Sequence, residues 1–165
     1  MQNTPSEYSL FQKLKLMQAR FYEKLGSSVD KIGIFEVRTD NFEAVYSKVK
    51  EYFNNESWKL VEPEDGLRAF ILEELKNSNV EIENNEAGYL LYKSKRNFLT
   101  VKDEQLVDIK IVHFKKFIGI TITCSIPRQG ILNKYKRLND KLINELKTFL
   151  GQYHQIDNFS IQYVV

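Results

Sequence analysis

Hydrophobic residues recur along this chain with two different spacings. From residue 132 onward they step by three and four, as one face of a helix requires: Leu132, Tyr135, Leu138, Leu142, Leu146 and Phe149. The segment before it alternates instead, with every second residue apolar and the others small or hydroxyl-bearing: Ile118, Ile120, Ile122, Cys124 and Ile126. The pattern predicts a strand over residues 117–126, with one buried and one hydroxylic face, and then a long helix that ends at Gly151.

The same criteria predict further elements on both sides of this pair. Strands are expected over residues 33–39, 58–61, 89–93, 98–102 and 106–114, and a last strand places Phe159, Ile161, Tyr163 and Val165 on one face. A first helix over residues 5–25 begins at the capping box formed by residues 4–7. A second helix follows the similar pattern at residues 40–43 and ends at residues 54–55, and a third carries Leu67, Phe70, Ile71 and Leu75.

This order of elements predicts a single α+β domain over residues 1–165, with residues 1–26 as an appended amphipathic helix. We expect a mainly antiparallel sheet with helices on one face, in a split-βαβ, ferredoxin-like arrangement that carries an insertion. The alternative is a helix-grip fold, in which a curved antiparallel sheet wraps the long helix around a ligand cavity. The appended helix either covers the open face of its own sheet or docks a partner.

The amino-acid composition restricts the cellular compartment that we expect for the chain and the kinds of metal, disulfide and cofactor chemistry that it can support. Cys124 is the only cysteine, so the chain forms no internal disulfide and no cysteine-based zinc site, which favours the reducing cytoplasm. The first residues lack the pattern of a signal peptide, and the uncharged stretch 117–127 is about half of the roughly 20 residues that a membrane span needs, so no membrane association is expected. The seven glycines are too scattered for a phosphate-binding loop, and no cofactor is predicted.

Charge is segregated along the chain although the net charge is only +2. Residues 1–87 carry 11 basic and 16 acidic side chains, whereas residues 88–165 carry 13 and 6. Sign-segregated charge steers association, either within the molecule or with a partner. The candidate binding residues are therefore eight of the 13 basic residues of the second half: Lys93, Lys95, Arg96, Lys115, Lys116, Arg128, Lys134 and Arg137.

Aromatic residues interleave with these cations around residues 92–98, and such a mixture can follow a phosphate backbone while stacking bases. Nucleic-acid binding is therefore one possible function. The alternative is that these cations are the solvated end of a hairpin and the outer face of the long helix, since a basic patch is only an electrostatic footprint.

The sharpest catalytic candidate is Asp108-Ile-Lys110, an acid and a lysine on one face of the strand 106–114. This triplet resembles the second half of the nuclease motif of the PD-(D/E)xK family. The resemblance implies a Mg²⁺ site completed by an earlier acid, with a glutamate from a preceding helix; Asp103 and Glu73 or Glu74 stand in those positions. The alternative is that Asp108 and Lys110 mark the solvent face of a half-buried strand.

No other catalytic set or metal site is predicted. His113 precedes a tight turn, and Cys124 points with the isoleucines and is expected to be an inert core thiol. The spacing of His154 and Asp157 is too common to predict a metal site. We therefore expect a non-catalytic interaction module that binds a protein partner or forms a homodimer, with a nucleic-acid-binding protein or Mg²⁺-dependent nuclease as the first alternative and a small-molecule carrier as the second.

Overall fold

A computed structural model describes residues 27–56, 58–61, 72–73, 76–77, 81–94, 105–127 and 132–163. Within these residues, six strands form one sheet: β1 (Ser27–Val37), β2 (Trp58–Val61), β3 (Ile82–Ser94), β4 (Leu106–Phe114), β5 (Ile118–Pro127) and β6 (Ile156–Tyr163). Two long helices accompany them, α1 (Phe42–Asn55) and α2 (Leu132–Gly151). The α+β class and both helices are confirmed.

Some predicted elements differ in extent or lie outside the described residues. β1 begins six residues earlier than predicted, at Ser27, and β3 is much longer than the predicted strand 89–93. Asn41 caps α1 with its side-chain oxygen, which accepts from the Ala44 amide at 3.1 Å, so the cap is not Asp40. The first helix and the strand 98–102 lie outside the described residues, and of the third helix only residues 72–73 and 76–77 are described, both helical.

The strand order is β2-β3-β4-β5-β1-β6, and every neighbouring pair is antiparallel. The ferredoxin-like prediction is therefore wrong, because a split-βαβ unit joins two parallel strands by its helix. Here β1 pairs antiparallel with both β5 and β6. β2 to β5 form a meander, and β1 closes it on the far side of β5.

Both helices pack on the same face of the sheet. Residues directly opposite each other in the register share a face, and one face carries Phe35, Ile109, Ile111, Ile120 and Ile122. These side chains join the inner residues of α1 and α2 in one buried cluster that includes Val45, Val49, Leu142 and Leu146. The prediction of helices on one face is confirmed for these two helices.

Two glycines on that face let the helices approach the strands closely. A β-carbon at Gly33 of β1 would lie 2.6 Å from Cγ2 of Ile143 in α2, and one at Gly88 of β3 would lie 2.6 Å from the Tyr46 ring in α1. Such distances are far below ordinary contact, so the side chains of the helices rest directly on the strand backbones. No space remains at these two points for a ligand between helix and sheet.

The opposite face is buried as well. Thr123 and Ser125 of β5 are fully buried, so the predicted hydroxylic face is not a solvent face. Ala87, Tyr89, Leu91 and Val112 form a second apolar cluster there, and Leu72, from the connection between β2 and β3, packs against it. The sheet is therefore covered on both sides in its centre.

Candidate functional site

Asp108 and Lys110 form an ion pair on the face opposite α1 and α2. They lie two residues apart on β4, an interior strand, and the Lys110 Nζ donates to Asp108 Oδ1 at 3.3 Å. The ammonium also lies 6.0 Å from the ring centroid of Tyr89 on β3, and Thr121 and Thr123 stand opposite the pair on β5. The sequence correctly places both side chains on one face.

The expectation that this pair marks a solvent face is wrong. The side chain of Asp108 is 0% exposed and that of Lys110 is 3% exposed. Burial lowers the pKa of Lys110, while the neighbouring Asp108 carboxylate opposes part of that shift. The physical reason for the error is that both faces of the central strands are covered, so alternation does not separate a wet face from a dry one.

Of the remaining residues of the proposed nuclease set, the structure describes Glu73, whose side chain faces solvent whereas Asp108 and Lys110 are buried. Asp103 and Glu74 lie outside the described residues. Among the described residues, no group of three or more histidine, cysteine, aspartate or glutamate side chains is arranged to hold a metal ion. A nuclease must also present its ligands to a phosphodiester, and the burial of Asp108 and Lys110 gives such a substrate no access.

The candidate basic residues divide between the two ends of the sheet. Lys93 is opposite Leu106, at the end where β4 begins, whereas Lys115 and Lys116 follow the last residue of β4. The nine residues of β4 separate these positions by roughly 30 Å. Arg137 is exposed on α2 and Lys134 lies in its first turn, while Lys95, Arg96 and Arg128 lie outside the described residues. The described cations therefore do not form one continuous patch.

An ion pair between exposed side chains joins the acidic first half of the chain to the basic second half. Lys115 lies 4.0 Å from Glu81, and both side chains are well exposed. An exposed pair of this kind contributes little to stability.

His113 lies 3.6 Å from Glu86 and stacks on Phe42 of α1. It precedes the β4–β5 turn as predicted, on a strand in the interior of the sheet.

A second polar cluster, which the sequence analysis missed, joins α2 to the sheet. Asn139 is fully buried, and its amide donates to Asp30 Oδ2 at 3.1 Å and to the Ser125 carbonyl at 3.2 Å, while it accepts from Gln105. Lys31, also buried, lies 2.8 Å from Asp140 and donates to the Lys136 carbonyl at 3.0 Å.

A β-bulge explains why two consecutive residues of β1 reach this cluster. The register with β5 shifts between Val29 and Lys31, so Asp30 is an extra residue without a direct partner. Its carboxylate lies 3.6 Å from Nζ of its neighbour Lys31. A sequence signal was available for Asn139, which stands three and four residues before Leu142 and Ile143 on the inner stripe of α2. A polar residue on an apolar stripe indicates a buried hydrogen-bonded site.

In the part of the chain that the structure describes, one buried hydroxyl on the helix face has no hydrogen-bond partner. Tyr92 stacks on Phe53 with the ring centroids 4.3 Å apart, and its OH is buried and unpaired. Burial raises the pKa of this phenol to about 12, with a smaller contribution from Tyr46. Cys124 is buried too, and burial raises the pKa of its thiol, which agrees with an inert core thiol.

Replacing Tyr92 with phenylalanine is expected to raise the free energy of unfolding by about 1 kcal/mol, because it removes an unpaired buried hydroxyl. The gain should grow above about pH 10, where the unfolded phenol ionises and the folded one does not, so that the wild type loses stability. Urea unfolding near pH 7 and near pH 10.5 measures both effects. Tyr52→Phe is the matched control and should destabilise, since the Tyr52 hydroxyl donates to Glu145 at 3.1 Å.

The edge of the sheet at β6 presents a different kind of surface. β6 pairs with β1 on one side, and no strand among the described residues pairs with the other side. The Arg38 amide donates to the Gln155 carbonyl at 2.9 Å. Counted along β1 from Arg38, every second residue forms backbone hydrogen bonds with β6, and beyond the register shift the β6 partners are Ser160 and Gln162. The backbone groups of Ile161 and Tyr163 therefore point toward the open side. The side chain of Tyr163 is 65% exposed.

The two halves of β6 differ in how this edge is protected. Asn158 adopts φ 53° at a register shift, where its side chain donates to Glu36 at 2.9 Å, and Asp157 beside it is charged. Bulges and charges are the devices that keep edge strands from pairing. The half from Ser160 to Tyr163 has neither. The opposite edge, β2, is only four residues long and contains Lys59.

Comparison with known proteins does not assign this chain to a family. No model of a known protein family matches it, and no curated protein matches it significantly. Among the described residues, no helix has the length and apolar character needed to cross a membrane.

Proposed function

We propose that this chain is a non-catalytic interaction module of the cytoplasm that binds a protein partner by strand addition along the open edge of β6. The observation that carries the proposal is the half-strand from Ser160 to Tyr163, which has no strand partner among the described residues on its outer side and contains no bulge or charged side chain. It offers outward backbone donors and acceptors and one exposed aromatic ring. An extended segment that pairs with such an edge gains main-chain hydrogen bonds for affinity and side-chain contacts for specificity.

The alternatives receive less support from the same structure. Asp108 and Lys110 are buried, which disfavours a nuclease, and the described basic residues divide between two ends of the sheet, which disfavours one continuous nucleic-acid surface. A carrier of the helix-grip type needs a cavity between sheet and helix, whereas Gly33 and Ile143 leave none where they meet.

Site-specific photo-cross-linking tests the proposal. A benzophenone amino acid replaces Tyr163 in the full chain, and a second variant carries it at Tyr153, an aromatic residue that is also exposed. Both variants are irradiated in an extract of the source cells, and the products are identified by mass spectrometry. We expect a defined protein adduct from position 163 that position 153 does not give. Equal or absent adducts at both positions would contradict the proposal.

A further inference from the structure

Resting on this proposed function, we infer that the partner of β6 is a second copy of the same chain, paired antiparallel about a two-fold axis at Gln162. Outward backbone groups at Ile161 and Tyr163 require that these two residues form the hydrogen-bonded pairs of a new ladder. An axis at Gln162 satisfies that condition, because it sets Ile161 of one copy opposite Tyr163 of the other, and the reverse. The two sheets then join into one.

The side chains are complementary in this register. Ile161 and Tyr163 share the face of the sheet that carries the helices, since they stand opposite Gly33 and Lys31 on β1. Each copy therefore contributes an aliphatic side chain to the partner's exposed aromatic ring, which is a favourable cross-strand pair. On the other face the Gln162 amides meet across the axis, and one amide donates to the other.

Charge agrees with a self-complementary contact. The segment from Ser160 to Tyr163 has no ionisable carboxylate or ammonium group. The ammonium of Lys31 lies 5.2 Å from the Tyr163 ring centroid, but it is buried and paired with Asp140, so two copies approach without unpaired like charges facing each other. Asp157 and the bulge at Asn158 limit the pairing between the two copies to this half of the strand. The surface that such a short contact buries is well below the roughly 1,200–2,000 Å² that a stable complex buries. We therefore expect a reversible dimer with a micromolar dissociation constant.

Cysteine cross-linking tests both the partner and the register. The Cα atoms of a pair that lacks hydrogen bonds are about 4.5 Å apart, within the range that a disulfide spans. Gln162→Cys should therefore form a covalent dimer under mild oxidation. Ser160→Cys is the matched control on the same face and strand, and its two copies would lie about 13 Å apart. Leu60→Cys controls for the other edge, and buried Cys124 does not compete.

Sedimentation velocity of the unmodified full chain accompanies the cross-linking, up to about 1 mM, where a micromolar dimer dominates. We expect concentration-dependent dimerisation that Tyr163→Pro abolishes, since proline removes an outward N–H together with the ring. A monomer at every concentration, or a disulfide that forms as readily from Ser160→Cys or Leu60→Cys, would overturn the inference. Photo-cross-linking at position 163 to another protein would then still support strand addition at β6, so the two failures are distinguishable.

Discussion

Asp108→Leu is expected to lower the free energy of unfolding by about 3–5 kcal/mol, because it leaves the Lys110 ammonium in a buried site without its counter-ion. Chemical denaturation near pH 7 measures the loss. The double variant Asp108→Leu/Lys110→Met is the control, since replacing a buried ion pair by apolar residues of similar volume is often neutral. A single variant that costs less than about 1 kcal/mol would show that the pair is not buried as described.

The loss in Asp108→Leu should shrink as the pH rises. The pKa of Lys110 is already lowered by burial, and removing the carboxylate removes the interaction that raises it. Between the folded pKa and the unfolded value near 10.5, the unfolded chain binds more protons, so stability increases with pH in that range. In Asp108→Leu this pH range extends to lower pH, because the pKa of Lys110 in the folded variant is lower than in the folded wild type. We therefore expect a smaller difference from the wild type near pH 10 than near pH 7.

Asn139→Ala is expected to cost about 3 kcal/mol, because it removes hydrogen bonds to Asp30, Gln105 and the Ser125 carbonyl and leaves these buried groups without that partner. Urea unfolding measures the loss. Asn144→Ala is the matched control on the same helix: Asn144 is exposed and donates to the carbonyl of Asp140 in its own helix, so its replacement should change stability by less than about 0.5 kcal/mol. Equal effects of the two substitutions would contradict the buried cluster.

The helices and most strands could be predicted because hydrophobic spacing reports local geometry directly. Residues 132–151 show the helical period and are helical, and the alternation before them is β5. The order of the strands could not be predicted in this way, since a two-residue period says which side chains share a face and not which strand lies beside which. The antiparallel pairing of β1 with both β5 and β6 is a tertiary choice of that kind.

The candidate site shows the same limit. The spacing of Asp108 and Lys110 correctly predicts a shared face, but their burial depends on what covers that face. One signal pointed to burial: the strand Leu106–Phe114 is a nearly continuous apolar run, which is typical of strands covered on both sides. The open edge of β6 could not be predicted from the sequence either, because an edge strand is defined only once the order of the strands in the sheet is known.

Residue-resolved amide hydrogen exchange in β6 tests strand addition most directly. In the dilute chain, we expect the amides of Ser160 and Gln162, which face β1, to be protected, and those of Ile161 and Tyr163 to exchange freely. At a concentration where the chain associates, or with the protein recovered by cross-linking at position 163, the latter two amides should slow by at least about tenfold. Unchanged exchange at Ile161 and Tyr163, with new protection elsewhere in the chain, would contradict the account.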